Sequence, residues 1–200
     1  MKKEKNKKTP GNDNWTITHD TGDTHDTGKP KAEMKVHIRW MTRQFDFPTV
    51  LAIESESFEF PWLEEDFIRC LRQHNSIGMV AEHDGRVVGF MIYELNGTRI
   101  HVLNFAVASN FRRRGVGTQM LSKLTGKLPA QRRTRIVLEV RETNLVGQQF
   151  FRAQEFRAVG VIQDYYEDTP EDAYLMEYRL GGHRHCDLTI PQNRIASFLS

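Results

Sequence analysis

Val36, Ile38 and Trp40 alternate with His37 and Arg39, the period-two pattern of a half-buried strand. From Phe47 to Phe58 the spacing turns helical, with Val50, Leu51, Ile53 and Phe58 in register and Glu54 in the same series. Phe60-Pro61-Trp62 interrupts, and Leu63 to Gln73 resumes a helix with Phe67, Ile68 and Leu71 on one side. Residues 77–82 and 87–94 read as strands joined by His83-Asp84-Gly85-Arg86, because Asp-Gly between apolar runs is a strong hairpin signal. Asn96-Gly97 marks a second turn, into a strand over 99–107. A helix over 115–128 carries Val116, Met120, Leu121 and Leu124 on one face and is expected to stop at Pro129. Residues 135–141 hold Ile136, Val137, Leu138 and Val140, a strand. Asn144 then caps a helix reaching about Ala153. Strands near 157–164 and 172–180 follow.

The order is β-α-α-β-β-β-α-β-α-β-β. Hairpins make the middle strands antiparallel, whereas the helix between 99–107 and 135–141 makes that pair parallel. The prediction is a mixed α/β sheet, not a doubly wound one. Residues 36–180 form one domain. Residues 1–35, which repeat THDTG at 18–22 and 24–28, are too polar to offset their ordering entropy and are expected to be disordered. Residues 181–200 read as a second polar tail, with His183, His185 and Cys186 as surface residues; His19, Asp20, His25 and Asp26 read as solvated.

The formal charge of +2 comes from eight lysines against six acids in residues 1–35, which leaves twenty against twenty elsewhere. No field of one sign therefore argues for specific nucleic-acid binding. Cys70 and Cys186 show no metal-ligand spacing, so no metal is expected. No apolar run reaches the ~18 residues of a membrane span. The lysines at 2, 3, 5, 7 and 8 are followed by no apolar segment, so a cytoplasmic protein with no membrane partner is expected.

The chemistry concentrates between Leu103 and Gly117, LNFAVASNFRRRGVG. Gly115 and Gly117 open a helix, where a glycine backbone lets a ligand approach closely and unpaired N–H groups attract phosphate. Arg112, Arg113 and Arg114 add fixed charge and forked donors. The alternative is a plain βα turn with solvated arginines.

Arg112–Gly117 as R-x-x-G-x-G, followed by LEVRETN and a helix, resembles the GNAT acyl-CoA N-acetyltransferases over about residues 36–180. Phe60-Pro61-Trp62, Leu138–Arg141 with Asn144, and Asp164-Tyr165-Tyr166 before Glu171-Asp172-Ala173 are most similar to the bacterial enzymes that acetylate the N-terminal alanine of a small-subunit ribosomal protein. The resemblance implies an α+β fold: a mostly antiparallel sheet of about seven strands flanked by helices, with a splayed parallel pair at the acetyl-CoA site. It implies acetyl-CoA as co-substrate. Phe105, Ala106 and Val107 would meet its acetyl and pantetheine, and Arg112, Arg113, Arg114, Gly115, Val116, Gly117 and Thr118 its pyrophosphate. Asn144 and Phe151 would line its arm, Glu139 would accept the proton, and Phe60, Trp62, Tyr165 and Tyr166 would wall the acceptor entrance.

Glu139 read without the resemblance is a strand-end carboxylate paired with Arg141 or solvent. The expected acceptor is the α-amino group of a protein N-terminus. With a pKa of about 7.7–8 it is partly neutral at pH 7, whereas lysine at about 10.4 needs a stronger base. A small amine or lysine is the second reading, and an acyl-CoA-binding module without turnover the third. Two departures from the family stand out. Phe151 replaces the tyrosine that would protonate the leaving thiolate, which leaves water, Tyr165 or Tyr166 as the proton source. Gln154-Glu155-Phe156 replaces Leu-Gly-Phe.

Overall fold

Asp84 and Gly85 have φ of +48° and +72°. Positive φ at both central positions is the geometry a tight hairpin needs to match strand twist. The strands on either side are β2 (Ser76–His83) and β3 (Arg86–Asn96) of a computed structural model that describes residues 33–166 and 168–182. The elements before them are β1 (His37–Trp40), α1 (Arg43–Ser57) and α2 (Glu64–Leu71). After them come β4 (Arg99–Val107), a 3-10 turn at Ser109–Phe111, α3 (Val116–Thr125) and α4 (Lys127–Ala130). The domain closes with β5 (Arg135–Arg141), α5 (Leu145–Ala153), β6 (Arg157–Ile162) and β7 (Ala173–Arg179).

Seven strands form one sheet in the order β1-β2-β3-β4-β5-β7-β6, antiparallel except at β4–β5. β4 pairs with β3 along its length, past an irregularity between Ile92 and Tyr93. It pairs with β5 at only three positions, the last being His101 with Val137. β5 in turn pairs with β7 over all seven of its residues. Each strand is thus held from its outer side, and the two are free to part in the middle.

Both faces of the sheet are covered. Met91, Tyr93, Ile100 and Val102 pack against Met120, Leu121 and Leu124 of α3 and Phe151 of α5. On the other face Val80, Phe90, Ile92 and Ala106 pack against Phe47, Val50 and Ile53 of α1 and Phe67 of α2. The element order and the mixed sheet match the sequence reading; the boundaries differ at the start of α1 and around Pro129. α1 starts at Arg43, not near Phe47, and carries Pro48 inside. The Asp46 carboxylate secures that first turn by accepting from Thr42 N at 2.6 Å and from Arg39 Nη1 and Nη2 at 2.7 and 2.8 Å. Likewise the helix after the glycine loop ends at Thr125, and Pro129 sits in α4 instead of stopping it. A proline in the first turn of a helix gives up only an N–H that has no intrahelical partner there. β6 ends at Ile162 and β7 begins at Ala173, each slightly short of its predicted span. The expectations for residues 1–32 and 183–200 lie outside the described residues. Residues 33–36 do not hang free: Met34 N donates to Arg114 O at 3.0 Å, and Gln119 Nε2 donates to Met34 O at 2.6 Å.

Phe67 ties the α1–α2 side together, fully buried with edge-on rings of Phe47, Trp62 and Phe90 at 6.0, 5.4 and 5.7 Å. Phe67→Ala is expected to cost about 3–5 kcal/mol. Urea unfolding would show it as a lower midpoint at unchanged slope.

Candidate active site

The loop between β4 and α3 is built from backbone. Arg113 and Gly115 take φ of +61° and +79°, and α3 then begins at Val116. The first N–H groups of an α-helix have no intrahelical acceptor and carry the positive end of its dipole, so this turn offers an anion several aligned donors. A Cβ on Gly117 would stand 2.9 Å from Phe150 Cζ, so only glycine lets α5 pack this closely on the start of α3.

The three arginines separate in role. Arg112 braces the fold, with Nε donating to Val107 O and Nη2 to Ser57 Oγ, each at 2.9 Å. Arg113 is exposed. Arg114 lies over the Phe111 ring at 5.8 Å. Val116 is buried in the core, while Thr118 is exposed on the first turn of α3.

Where β4 and β5 part, His101 Nε2 lies 2.6 Å from Glu139 Oε2, with the two side chains only 13% and 12% exposed. The sequence reading had weighed Arg141 or solvent as the partner of Glu139, and the structure corrects this. Arg141 instead faces Asp168 at 2.6 and 2.8 Å, Glu171 at 2.7 Å and Thr169 at 2.8 Å. Its guanidinium carbon also lies 3.7 Å from the Tyr166 ring centroid and 5.4 Å from that of Phe60. Arg141 thereby fastens the β6–β7 loop to β5 and brings Phe60 and Tyr166 to one place.

Tyr165 meets Tyr166 edge-on at 4.9 Å. Burial pushes both phenols well above the ordinary tyrosine range, the negative charge of Glu139 adding to it at Tyr165 and Arg141 opposing it at Tyr166. Both therefore stay protonated.

Asn144 caps α5, its Oδ1 accepting from Gly147 N at 2.8 Å. Phe151 is buried, with Phe105, Phe150 and Phe156 at 6.1, 5.2 and 5.4 Å. Phe105 and Ala106 belong to the stretch of β4 beyond its last pair with β5.

Residues 46–156 match the sequence profile of the acetyltransferase (GNAT) family. The chain belongs to that family. This GNAT acetyltransferase is 30% identical to an N-alpha-acetyltransferase of Sulfurisphaera tokodaii over 55% of this chain and 73% of the relative. It is 27% identical to the [ribosomal protein bS18]-alanine N-acetyltransferase of Salmonella typhimurium over 66% of this chain and 89% of the relative. Among solved structures, Ard1 from Thermoplasma volcanium superposes with a TM-score of 0.67 at 26% identity, covering 74% of this chain and 99% of that one. The enzyme is an N-acetyltransferase and acetyl-CoA is its acyl donor. The aligned N–H groups at the start of α3 and the unpaired stretch of β4 suit a ligand carrying a pyrophosphate at one end and amides along its arm.

One buried acid escaped the sequence reading, which placed it in the apolar series of α1. Glu54 is 1% exposed, and its Oε1 accepts from Trp62 N at 2.8 Å and from Asn104 Nδ2 at 3.0 Å. Glu54 thus holds the Phe60-Pro61-Trp62 corner against β4. Its Oε2 and the Oδ1 of Asn104 are both buried without a partner. Burial raises the Glu54 carboxyl above the ordinary glutamate range. An acid whose folded pKa is raised stabilises the fold below the unfolded value, near 4.3, and loses that contribution as pH climbs through the folded value. Glu54→Gln keeps an oxygen for both donors and turns the orphan oxygen into an N–H. It is expected to raise stability at pH 7 by about 1 kcal/mol, the scale of an unsatisfied buried group. It should also flatten the decline in stability from about pH 4.3 upward. Thermal unfolding of both proteins across that range reads the two effects.

Proposed function

We propose that this GNAT enzyme acetylates the α-amino group of protein N-termini, with Glu139 taking the proton from the attacking amine. The observation that carries the reading is a half-buried carboxylate at the parting of β4 and β5, bonded to His101 and flanked by Tyr165, Tyr166 and the Phe60 corner. Such a site holds a base beside an aromatic entrance that suits a peptide. The names of the two relatives, one an N-alpha-acetyltransferase and one acting on an alanine of a ribosomal protein, support the acceptor.

Acetyl-CoA supplies an activated thioester. The backbone of Phe105, Ala106 and Val107 and the turn Arg113–Thr118 would hold its arm and pyrophosphate, with Asn144 and Phe151 along the arm. Arg112 acts by fixing the end of β4 to α1. Phe60, Trp62 and Tyr166 would wall the entrance for the acceptor. Glu139 receives the proton that the α-ammonium must lose before its nitrogen lone pair can attack. The sulfur departs with the electron pair of the broken bond. Tyr165, held protonated by burial, is the hydroxyl available to it.

Phe151 favours a second reading, an acyl-CoA-binding module that has lost turnover. Acetyl-CoA consumption by wild type, Glu139→Gln and Phe151→Tyr, each offered an alanine-starting peptide and a lysine-containing amine, separates the readings. The expected result is turnover of the peptide ahead of the amine in wild type, and a fall of about 10²–10⁴ in kcat for Glu139→Gln. Binding of acetyl-CoA without turnover in wild type, with activity appearing in Phe151→Tyr, would establish the binding module instead.

A further inference from the structure

We propose that His101 is the positioning residue of this active site, donating from Nε2–H to Glu139 Oε2 and thereby aiming the remaining oxygen, Oε1, at the acceptor amine. The proposal rests on the reading of Glu139 as proton acceptor. Among the described residues His101 is the hydrogen-bond partner of Glu139, at 2.6 Å, and Arg141 is occupied by Asp168, Glu171 and Thr169.

The topology explains why the histidine stands there. His101 and Val137 are the last β4–β5 pair, and Glu139 follows two residues on, on the same face of β5 as Val137. The imidazole therefore bridges the strands one step after their backbone bonds end. On its other side, Glu94 of β3 is the cross-strand partner of His101, already accepting from Ser76 Oγ and Asn96 Nδ2. A carboxylate that is to accept the amine proton must be ionised and can then only accept, so this role requires the imidazole to donate from Nε2–H.

A glutamate side chain has three free torsions, and a carboxylate free to swing presents its lone pair at the wrong place for most of the time. An angstrom of misplacement in a reacting group can cost about 10² in rate. The imidazole bond removes that freedom without neutralising the base. It also leaves Oε1 to take the amine proton, and when that happens the amine nitrogen keeps the electron pair it needs to form the new C–N bond.

The test is a cycle of His101→Leu, His101→Gln, Glu139→Gln and the His101→Leu/Glu139→Gln double variant, with kcat and KM measured on the alanine-starting peptide. Circular dichroism would confirm folding of each. His101→Leu should lower kcat by about 10–100-fold with the KM for the peptide nearly unchanged. His101→Gln, which returns an N–H donor at about the position of Nε2, should recover most of the loss. In the Glu139→Gln background the leucine should cost nothing more, because a residue acting through Glu139 has nothing left to position. Nitrogen-15 shifts of the His101 ring give a reading independent of turnover: an Nε2–H tautomer in wild type, its hydrogen-bonded proton signal lost in Glu139→Gln.

A leucine cost that persists in full in the double variant, or glutamine no better than leucine, would overturn the positioning role, as would an Nδ1–H tautomer. Wild-type turnover by Glu139→Gln would sink the reading of Glu139 and this role with it. A slow Glu139→Gln beside a wild-type His101→Leu would sink the role of His101 alone.

Discussion

The architecture turns on a parallel pairing that stops after three residues. β4 and β5 share register only from Arg99–Arg135 to His101–Val137, yet each continues, one along β3 and the other along β7. Because those outer ladders are intact, parting the strands removes only the hydrogen bonds between them. What it leaves is a pair of facing strand edges inside the protein, whose N–H and C=O groups call for partners. A ligand with amides of its own can meet them, and in the proposed function its reactive end lies where Glu139 stands. Binding and chemistry share one origin: the cleft is made by withholding a few bonds.

Several polar contacts keep that cleft in shape, and each crosses between elements. Arg141 leaves β5 to clamp the β6–β7 loop through Asp168, Glu171 and Thr169 while stacking on Tyr166. Arg112 leaves the glycine loop to hold Val107 and Ser57. Glu54 leaves α1 to hold Trp62 and Asn104. Exposed and half-buried charged contacts like those of Arg112 and Arg141 add little net stability, and a buried acid like Glu54 has its desolvation to offset. What they do is fix one arrangement of the loops, which a site assembled from four elements requires.

The same distinction decides what the sequence made legible. Periodicity, two turn dipeptides and the Asn144 cap are local signals, and they placed the strands, the helices and the parallel pair. The turn from β4 into α3 was legible because Gly-x-Gly before an apolar helical series is a local signal too. Partners 38 and 50 residues apart were not: His101 with Glu139, and Asn104 with Glu54, meet only once the sheet is formed. Glu54 sat in an apolar helical series and so looked like an incidental break in it, when its position in that series is what buries it. The three arginines beside Gly-x-Gly read as one positive cluster, and the fold gives them separate surroundings: Arg112 turns Nε and Nη2 to Val107 and Ser57, while Arg114 lies over Phe111. Pro129 read as a boundary because proline disfavours helix interiors, yet it sits in the first turn of α4, where its missing N–H has no intrahelical partner to lose.

Phe151 shows how packing can decide a chemical question. Its ring stands among Phe105, Phe150 and Phe156, so a hydroxyl added at its tip would have to reach past aromatic neighbours to find a partner. An unpaired buried hydroxyl costs about 1–3 kcal/mol, and here the packed aromatic cluster stands in place of that polar group. A thiol with a pKa of about 8.5 is a fair leaving group as its anion, far better than the alkoxide of an ester, so its expulsion needs less help from a positioned acid than an alkoxide would. The demanding step is removal of the proton from the incoming ammonium. In the proposed function that step falls to Glu139, the half-buried, hydrogen-bonded carboxylate between β4 and β5.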